Sequence, residues 1–178
     1  MIICDNKMKI RYVNAQYPGS NHDSHIMNVS NARCFFERNY LNGERNTWIL
    51  GDAGYSLERW LMTPFRSPSP GSSESHYNKI HAKARNIIER TIGLLKNRFR
   101  CLLGARELHY EPSKVCQISN VAAALHNICI HYRVVDDVSE NLEPYYENEN
   151  SEPSSSTFND AASEIRQSIT RTLISIRR

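Results

Sequence analysis

Three acidic residues, Asp23, Asp52 and Glu89, stand where carboxylates could act together on one substrate. Clustered carboxylates supply the hard oxygen ligands that Mg²⁺ and Mn²⁺ prefer, and such ions can activate water and stabilise the leaving oxygen when a phosphodiester is cleaved. Taken singly, Asp23 and Asp52 are more typical of turn or cap residues, and Glu89 of an ion-pair partner for Arg85 four residues earlier. Spacing alone leaves both interpretations open.

Asp52 follows a short apolar segment, Thr47–Leu50, that predicts a β-strand. It would therefore lie at the carboxyl end of that strand, and Gly51 and Gly54 leave room for a ligand beside its carboxylate. Asp23 lies at a turn where a short helix is expected to begin. A carboxylate at a strand end and another on a covering helix can converge at one edge of a sheet, so a shared metal site is compatible with this pattern.

Glu89 is the one acid in a basic segment, since residues 79–106 contain eight lysines and arginines. Apolar residues recur there at three- and four-residue steps, which predicts a long amphipathic helix with Glu89 at the edge of its apolar stripe. A basic helix is typical of proteins that bind nucleic acid. A solvated helix face would have the same composition, so both interpretations stay open. Five side chains could contact phosphates: Arg85, Arg90, Lys96, Arg98 and Arg100.

The remaining elements follow from periodicity and turn residues. Strands are predicted at Met1–Cys4 and Lys9–Tyr17. An exposed loop is predicted at Ser67–Ser75. Helices are predicted near His22–Ser24, from Ser30 to Leu41, from Ser56 through Leu61, and from about Ser113 to Tyr132. The last of these would use an apolar face that includes Val121, Ala122, Leu125 and Ile128.

Charge divides the chain into a basic body and an acidic tail. Residues 1–135 have a net charge of +8 and residues 136–178 a net charge of −5. Residues 136–157 are acidic and poor in aliphatic side chains, which predicts a disordered linker. Residues 158–178 predict a short amphipathic helix that either docks on the body or binds a partner.

Five scattered cysteines without a CxxC pair argue against a disulfide framework and a cysteine-rich zinc site. Free thiols fit a reducing compartment, the nucleus or the cytoplasm. No run of about 18 apolar residues occurs, so no membrane span is expected.

Several motifs occur in an order that resembles the nuclease domain of the PIF/Harbinger transposases, and most closely the animal Harbinger transposase-derived nucleases. The first is Pro18-Gly19-Ser20 with Asp23, followed by Gly51-Asp52-Ala53-Gly54-Tyr55. Ile88-Glu89-Arg90 and Ala124-Leu125-His126-Asn127-Ile128 complete the series. The resemblance covers roughly residues 1–134 and more loosely the C-terminal helix.

This resemblance implies an α/β RNase H-like DDE nuclease fold, in which a mixed sheet is flanked by helices. It implies that Asp52 and Glu89 are catalytic metal ligands and that Asp23 is a further metal ligand. The family's first catalytic Asp lies on a first strand that has no counterpart here. We therefore expect residues 1–135 to be a partial DDE domain, N-terminally truncated, with the first strand missing.

Two functions follow as hypotheses. The first is a transposase-derived endonuclease, without transposase activity, that uses Mg²⁺ or Mn²⁺ to hydrolyse DNA phosphodiester bonds. It would act with a separate DNA-binding partner protein in the nucleus and cytoplasm. The second is a non-catalytic DNA-binding or adaptor protein derived from a transposase.

Overall fold

The structure, a computed structural model, describes residues 1–17, 23–103, 110–134 and 160–176. Its strands are β1 (Ile2–Cys4), β2 (Ile10–Val13), β3 (Ile49–Leu50) and β4 (Leu61–Met62). Its helices are α1 (Asp23–Asn28), α2 (Asn31–Leu41), α3 (Ser73–Arg98), α4 (Pro112–His131) and α5 (Asp160–Ser175), with a 3₁₀ turn at Arg100–Leu102. Among the helices in these ranges, none has the length and apolarity needed to cross a membrane.

The mixed α/β composition is confirmed, but the strands pair differently from the single mixed sheet that we expected. β1 pairs with β2 in antiparallel orientation, and β3 pairs with β4 in parallel orientation. Within the described ranges these are two separate two-stranded sheets. The predicted linker at 136–157 lies outside the described residues, whereas a helix does occupy most of 158–178.

Two local predictions were wrong. No helix begins at Ser56, because Leu61 and Met62 are fully buried and form β4 alongside β3. The loop expected at Ser67–Ser75 ends early, since α3 begins at Ser73. The hydroxyl of Ser72 accepts the backbone N–H of Ser75 at 3.1 Å, and a serine that satisfies a free N–H in this way favours the start of a helix.

The described residues divide into two compact units, the first drawn from residues 1–21 and 86–146 and the second from residues 22–85 and 147–178. In the first unit, the β1–β2 hairpin packs against α4. Asn127 of α4 accepts the backbone N–H of Ile10 and donates to its carbonyl, both at 2.8 Å. Ile10 lies in a small core with Leu95 and Ala122. The side-chain amide thus holds one residue of β2 in the manner of a neighbouring strand.

The hairpin turn is fixed by its own side chains and by His126. Asp5 accepts the backbone N–H groups of Lys7 and Lys9. Met8 adopts a positive φ of 60°, and His126, which is fully buried, donates from Nε2 to the Met8 carbonyl at 2.8 Å. Burial opposes the charge on Asp5, but the two backbone N–H groups and a bridge to Arg11 together outweigh it and lower the pKa of Asp5.

The contacts of His126 and Asn127 determine which side of α4 faces the hairpin. Our prediction that its apolar face is the buried side was therefore wrong. Ala122 was expected on that face and is buried, but Val121, Leu125 and Ile128 have exposed fractions of 58%, 43% and 51%. These three residues and Tyr132 lie on one side of α4. The hydrogen bonds of these two polar side chains to β2 and its turn decide which side of the helix is buried, although larger apolar side chains remain exposed as a result.

In the second unit, Trp60 is buried against Phe36 of α2, with the ring centroids 5.9 Å apart. The segment after β4 is held through its backbone, in an arrangement that we call the Met62–Phe65 clamp. His81 donates to the Met62 carbonyl at 3.1 Å, and Asn78 bonds both the N–H and the carbonyl of Phe65. The clamp joins the first half of α3 to the end of β4.

Helix α5 completes the clamp. Arg166 donates to the carbonyls of Thr63 and Pro64 at 3.2 and 3.1 Å, and its guanidinium lies 4.0 Å from the centre of the Phe65 ring. Ala162 and Thr170, one turn before and after Arg166, are buried. Of the two roles that the sequence left open for this helix, the structure therefore shows the first, docking on the chain itself.

Candidate active site

Asp52 stands directly after β3, held by its own turn. Its Oδ1 accepts the backbone N–H of Gly54 at 2.8 Å. A Cβ at Gly51 would come within 3.0 Å of the Leu61 and Tyr55 side chains, and one at Gly54 within 3.0 Å of Asp52 Oδ1. The space at these glycines, which we expected a ligand to use, is taken by the protein. The glycines instead let the turn close tightly around the carboxylate.

The second oxygen of Asp52 faces a cation. Arg85 Nη1 lies 3.9 Å from Asp52 Oδ2, and the exposed fractions of the two side chains are 18% and 22%. Arg85 was predicted to pair with Glu89 or to contact phosphate. The structure adds a third possibility, in which α3 presents a guanidinium to the carboxylate at the end of β3.

Glu89 follows Arg85 by four residues in α3 and belongs to the first unit, whereas Asp52 and Arg85 belong to the second. It is half-buried, as expected for the edge of the apolar stripe, and two neighbours on the helix, Thr91 and Leu95, are buried. Asp23 is the first residue of α1, and its side chain lies outside the described part of the structure.

The residue types fit a divalent cation. Asp52 offers an oriented carboxylate oxygen toward which a positive group already points, and such an oxygen is a hard ligand suited to Mg²⁺ or Mn²⁺. Over residues 1–17, 23–103, 110–134 and 160–176, no three His, Cys, Asp or Glu side chains form a metal-binding group. The fit therefore rests on the chemistry of the Asp52 carboxylate.

The five predicted phosphate contacts separate into different environments. Arg90, Lys96 and Arg100 are exposed. Arg98 is half-buried and donates to Nδ1 of His126 at 3.3 Å and to the carbonyls of His126 and Val134 at 3.4 Å. Arg98 therefore faces protein groups, as Arg85 does at Asp52. The other three cations, Arg90, Lys96 and Arg100, are exposed where a polyanion could reach them.

Sequence reasoning missed the residues that hold the site, namely Asn78, His81 and Arg166. Burial lowers the pKa of His81, and Arg85 and Arg166 lower it further, although the hydrogen bond to Met62 and the charge of Asp52 oppose the shift. Burial raises the pKa of Tyr77, whose ring centre lies 5.7 Å from that of His81, to about 12. The sequence did contain one signal for Arg166. Ala162 and Thr170 lie four residues before and after it, so the three residues share one narrow face of the helix, on which Arg166 is the long cation.

Comparisons with known proteins agree with the motifs. Residues 1–127 match the family described as "DDE superfamily endonuclease". The chain is 33% identical over 133 residues to the mouse and human proteins named "Putative nuclease HARBI1", covering 74% of this chain and 37% of each relative. It is 34% identical over 158 residues to the Xenopus laevis protein of that name, covering 86% of this chain and 44% of the relative. A protein of Arabidopsis thaliana named "Protein ALP1-like" is 28% identical over 138 residues, covering 72% of this chain and 34% of the relative.

The chain thus spans less than half the length of these curated relatives. No solved structure matches it. Helix α5 lies beyond the residues matched by the family.

Proposed function

The chain belongs to the DDE superfamily endonucleases, and from this membership we propose that it is part of a transposase-derived nuclease that hydrolyses DNA phosphodiester bonds with Mg²⁺ or Mn²⁺. The observation that carries the proposal is the environment of Asp52. Its carboxylate follows a strand, is oriented by the Gly54 N–H, and directs its other oxygen toward a positive group. An oriented carboxylate of this kind is suited to a metal ligand.

Asp52 and Glu89 are proposed as the catalytic ligands, with Asp23 as a further ligand. A bound divalent cation would supply activation of the attacking water and stabilisation of the leaving oxygen. The protein's own contribution is positional. The Gly54 N–H fixes the Asp52 carboxylate, and the Met62–Phe65 clamp holds the first half of α3 against the end of β4. The exposed residues Arg90, Lys96 and Arg100 would attract the DNA backbone.

An RNase H-like arrangement of the complete domain is part of the proposal. It is supported by the parallel β3–β4 pair, by the acid at the carboxyl end of β3 and by the long α3 that follows. We propose further that a separate DNA-binding protein supplies sequence specificity and that the protein acts in the nucleus and cytoplasm without transposase activity. The described cysteines are all free, which suits those compartments. Imaging of the tagged protein, and recovery of a DNA-binding protein with it, would test these two points.

Plasmid nicking in Mn²⁺ tests the nuclease proposal. We expect Asp52→Asn and Glu89→Gln each to lower the nicking rate by at least roughly 100-fold. Removal of the contacts that merely support a metal ligand can already cost this much activity. Glu37→Gln, which removes an exposed acid from α2, is the matched control and should nick like the wild type. If wild type, Asp52→Asn and Glu89→Gln all nicked equally, these acids would have no catalytic role.

The exposed cations of α3 favour a second candidate, a non-catalytic DNA-binding or adaptor protein. This alternative predicts that the wild type shifts DNA in a salt-sensitive way without nicking it in Mn²⁺ or Mg²⁺. Nicking that depends on Asp52 would exclude it.

A further inference from the structure

Two arginines lie beside the ring of Tyr40, near the C-terminal end of α2. The guanidinium carbons of Arg45 and Arg59 are 5.6 and 6.0 Å from the centre of that ring. Both arginines are exposed, and Tyr40 is half-buried. We call these three residues the Tyr40 patch. The two distances are in the range of cation–π attraction, so the ring holds both guanidinium groups on one small area of the surface.

The positive charge of the Tyr40 patch is not neutralised by the described part of the chain. No carboxylate in the described ranges forms an ion pair with Arg45 or Arg59, whereas Arg33 of the same unit does pair with an acid. Glu37 and Glu44 are the exposed acids nearest to the patch in sequence, and neither pairs with its arginines. An anion that binds both guanidinium groups must therefore come from outside the described residues.

The Tyr40 patch and Asp52 lie at opposite ends of the β3–β4 pair. The two strands are parallel, and the N–H of Ile49, the first residue of β3, donates to the carbonyl of Trp60 at 2.8 Å. Arg59 directly precedes Trp60 and therefore lies at the amino end of the strands, whereas Asp52 follows their carboxyl end. A phosphate bound at the patch is thus a different phosphate from the one that would be cleaved at Asp52.

We propose that the Tyr40 patch is a second contact for the DNA backbone, remote from the bond that is cleaved. The identity of the polyanion as DNA rests on the proposed function. Each guanidinium carbon is within about 6 Å of one ring centre, so the two are at most about 12 Å apart, a length over which one strand of a duplex carries about three phosphates. The planar fork of a guanidinium matches phosphate oxygens.

The ring contributes by restricting the two long side chains before DNA arrives. Less conformational freedom is then lost on binding, which favours the complex. Because contacts to phosphate are independent of the base sequence, the patch should add affinity for any duplex without changing sequence preference.

Fluorescence anisotropy with a short labelled duplex in EDTA tests the patch without any divalent cation. We expect Arg45→Gln/Arg59→Gln to bind duplexes of unrelated sequence about tenfold more weakly than the wild type at low salt. The slope of log Kd against log salt should become shallower by about 2, because two phosphate contacts are lost. Lys114→Gln/Arg171→Gln removes two exposed cations from other helices. This control has the same net charge and should bind nearly like the wild type.

The role of the ring is tested by two further variants. Tyr40→Phe keeps the ring and should bind like the wild type. Tyr40→Leu keeps both charges but removes the ring that restricts them, and should bind several-fold more weakly with the salt slope unchanged. Circular dichroism should be the same for all variants, since the arginines are exposed and the tyrosine is half-buried.

Three outcomes would overturn the proposal: wild-type affinity of Arg45→Gln/Arg59→Gln, an equal loss in the control, or no duplex binding by the wild type in EDTA. Tighter binding of polyglutamate than of duplex, lost in the same variant, would assign the patch to an acidic protein and reject DNA.

The patch and the proposed hydrolysis can fail separately. Asp52-dependent nicking, with no loss of duplex binding in Arg45→Gln/Arg59→Gln, would retain hydrolysis and reject the patch. Weaker duplex binding by that variant, with no nicking by the wild type, would retain the patch and reject hydrolysis.

Discussion

At the scale of single residues, the buried His81 links strand β4 to helix α3 through its hydrogen bond to the Met62 carbonyl. Burial lowers its pKa, and the nearby Arg85 and Arg166 lower it further. The imidazole therefore stays neutral in the folded protein at a pH where it would be protonated in the unfolded chain.

The pH dependence of stability follows from this shift. The contribution of neutral His81 is complete above its unfolded pKa of 6.5 and is lost as the pH falls from 6.5 toward the lower folded pKa. In that interval the loss approaches about 1.4 kcal/mol per pH unit. Urea unfolding between pH 7.5 and 5.5 should show a smaller loss for His81→Gln than for the wild type. His131→Gln, at an exposed site, should behave like the wild type.

Thiol reactivity offers a second test at this scale. Burial raises the pKa of Cys4, outweighing a hydrogen bond from Thr91, whereas Cys34 and Cys101 are exposed. Because the thiolate is the reactive form, we expect Cys34 and Cys101 to react with a chromogenic disulfide at least about tenfold faster than Cys4 at pH 8. Cys4→Ser should remove only a slow phase. Loss of a fast phase in that variant would contradict the assignment.

The position of Asp52 could be predicted because an apolar run followed by Gly-Asp is a local signal. Its pairing with Arg85 could not be predicted, since the two residues are far apart in the chain and only the tertiary fold brings them together. Arg166 was harder still, because its partners are backbone carbonyls, which have no signature in the side-chain pattern.

At the scale of secondary-structure elements, α4 shows how polar contacts can set a helix's orientation. Its limits were predicted to within about a residue. Its buried face was not, because the Asn127 amide and the His126 imidazole bind the backbone of β2 and its turn. Periodicity counts apolar side chains, and it cannot weigh them against a pair of buried hydrogen bonds.

Replacement of Asn127 should measure this effect. Asn127→Ala leaves the N–H and carbonyl of Ile10 without their partner, and each such group costs about 1–3 kcal/mol. We therefore expect a loss of about 2–4 kcal/mol in the free energy of unfolding, measured by urea denaturation. Asn120→Ala, at an exposed site on the same helix, should cost less than about 1 kcal/mol. Similar losses in the two variants would show that the amide does not anchor β2.

At the scale of the whole molecule, α5 lies beyond the residues that match the family but belongs to the unit that contains Asp52. Family membership could be predicted because several short motifs occur in one order. The division of the strands into two pairs was not predicted, because whether pairs of neighbouring strands join into one sheet depends on contacts between segments that are far apart in the chain.

Removal of α5 should destabilise the second unit. A chain ending at residue 159 loses the Arg166 bonds to Thr63 and Pro64, and we expect its Tm to fall by roughly 5–10 °C, as measured by calorimetry. A synthetic peptide of residues 160–178 should restore much of the loss when added in excess. The same peptide with Arg166→Met should not, whereas one with Arg171→Met should, because Arg171 is exposed. An unchanged Tm after truncation would mean that α5 contributes no stability.

The Met62–Phe65 clamp also bears on how this protein can vary during evolution. Asn78, His81 and Arg166 bind main-chain carbonyls, which every amino acid possesses, and one main-chain N–H, which every amino acid except proline possesses. Substitutions within the clamped segment therefore preserve most of the contacts, while substitutions of the three binding residues abolish them. Divergence between related proteins should be uneven, with more drift tolerated at the half-buried Pro64 than at the distant Arg166.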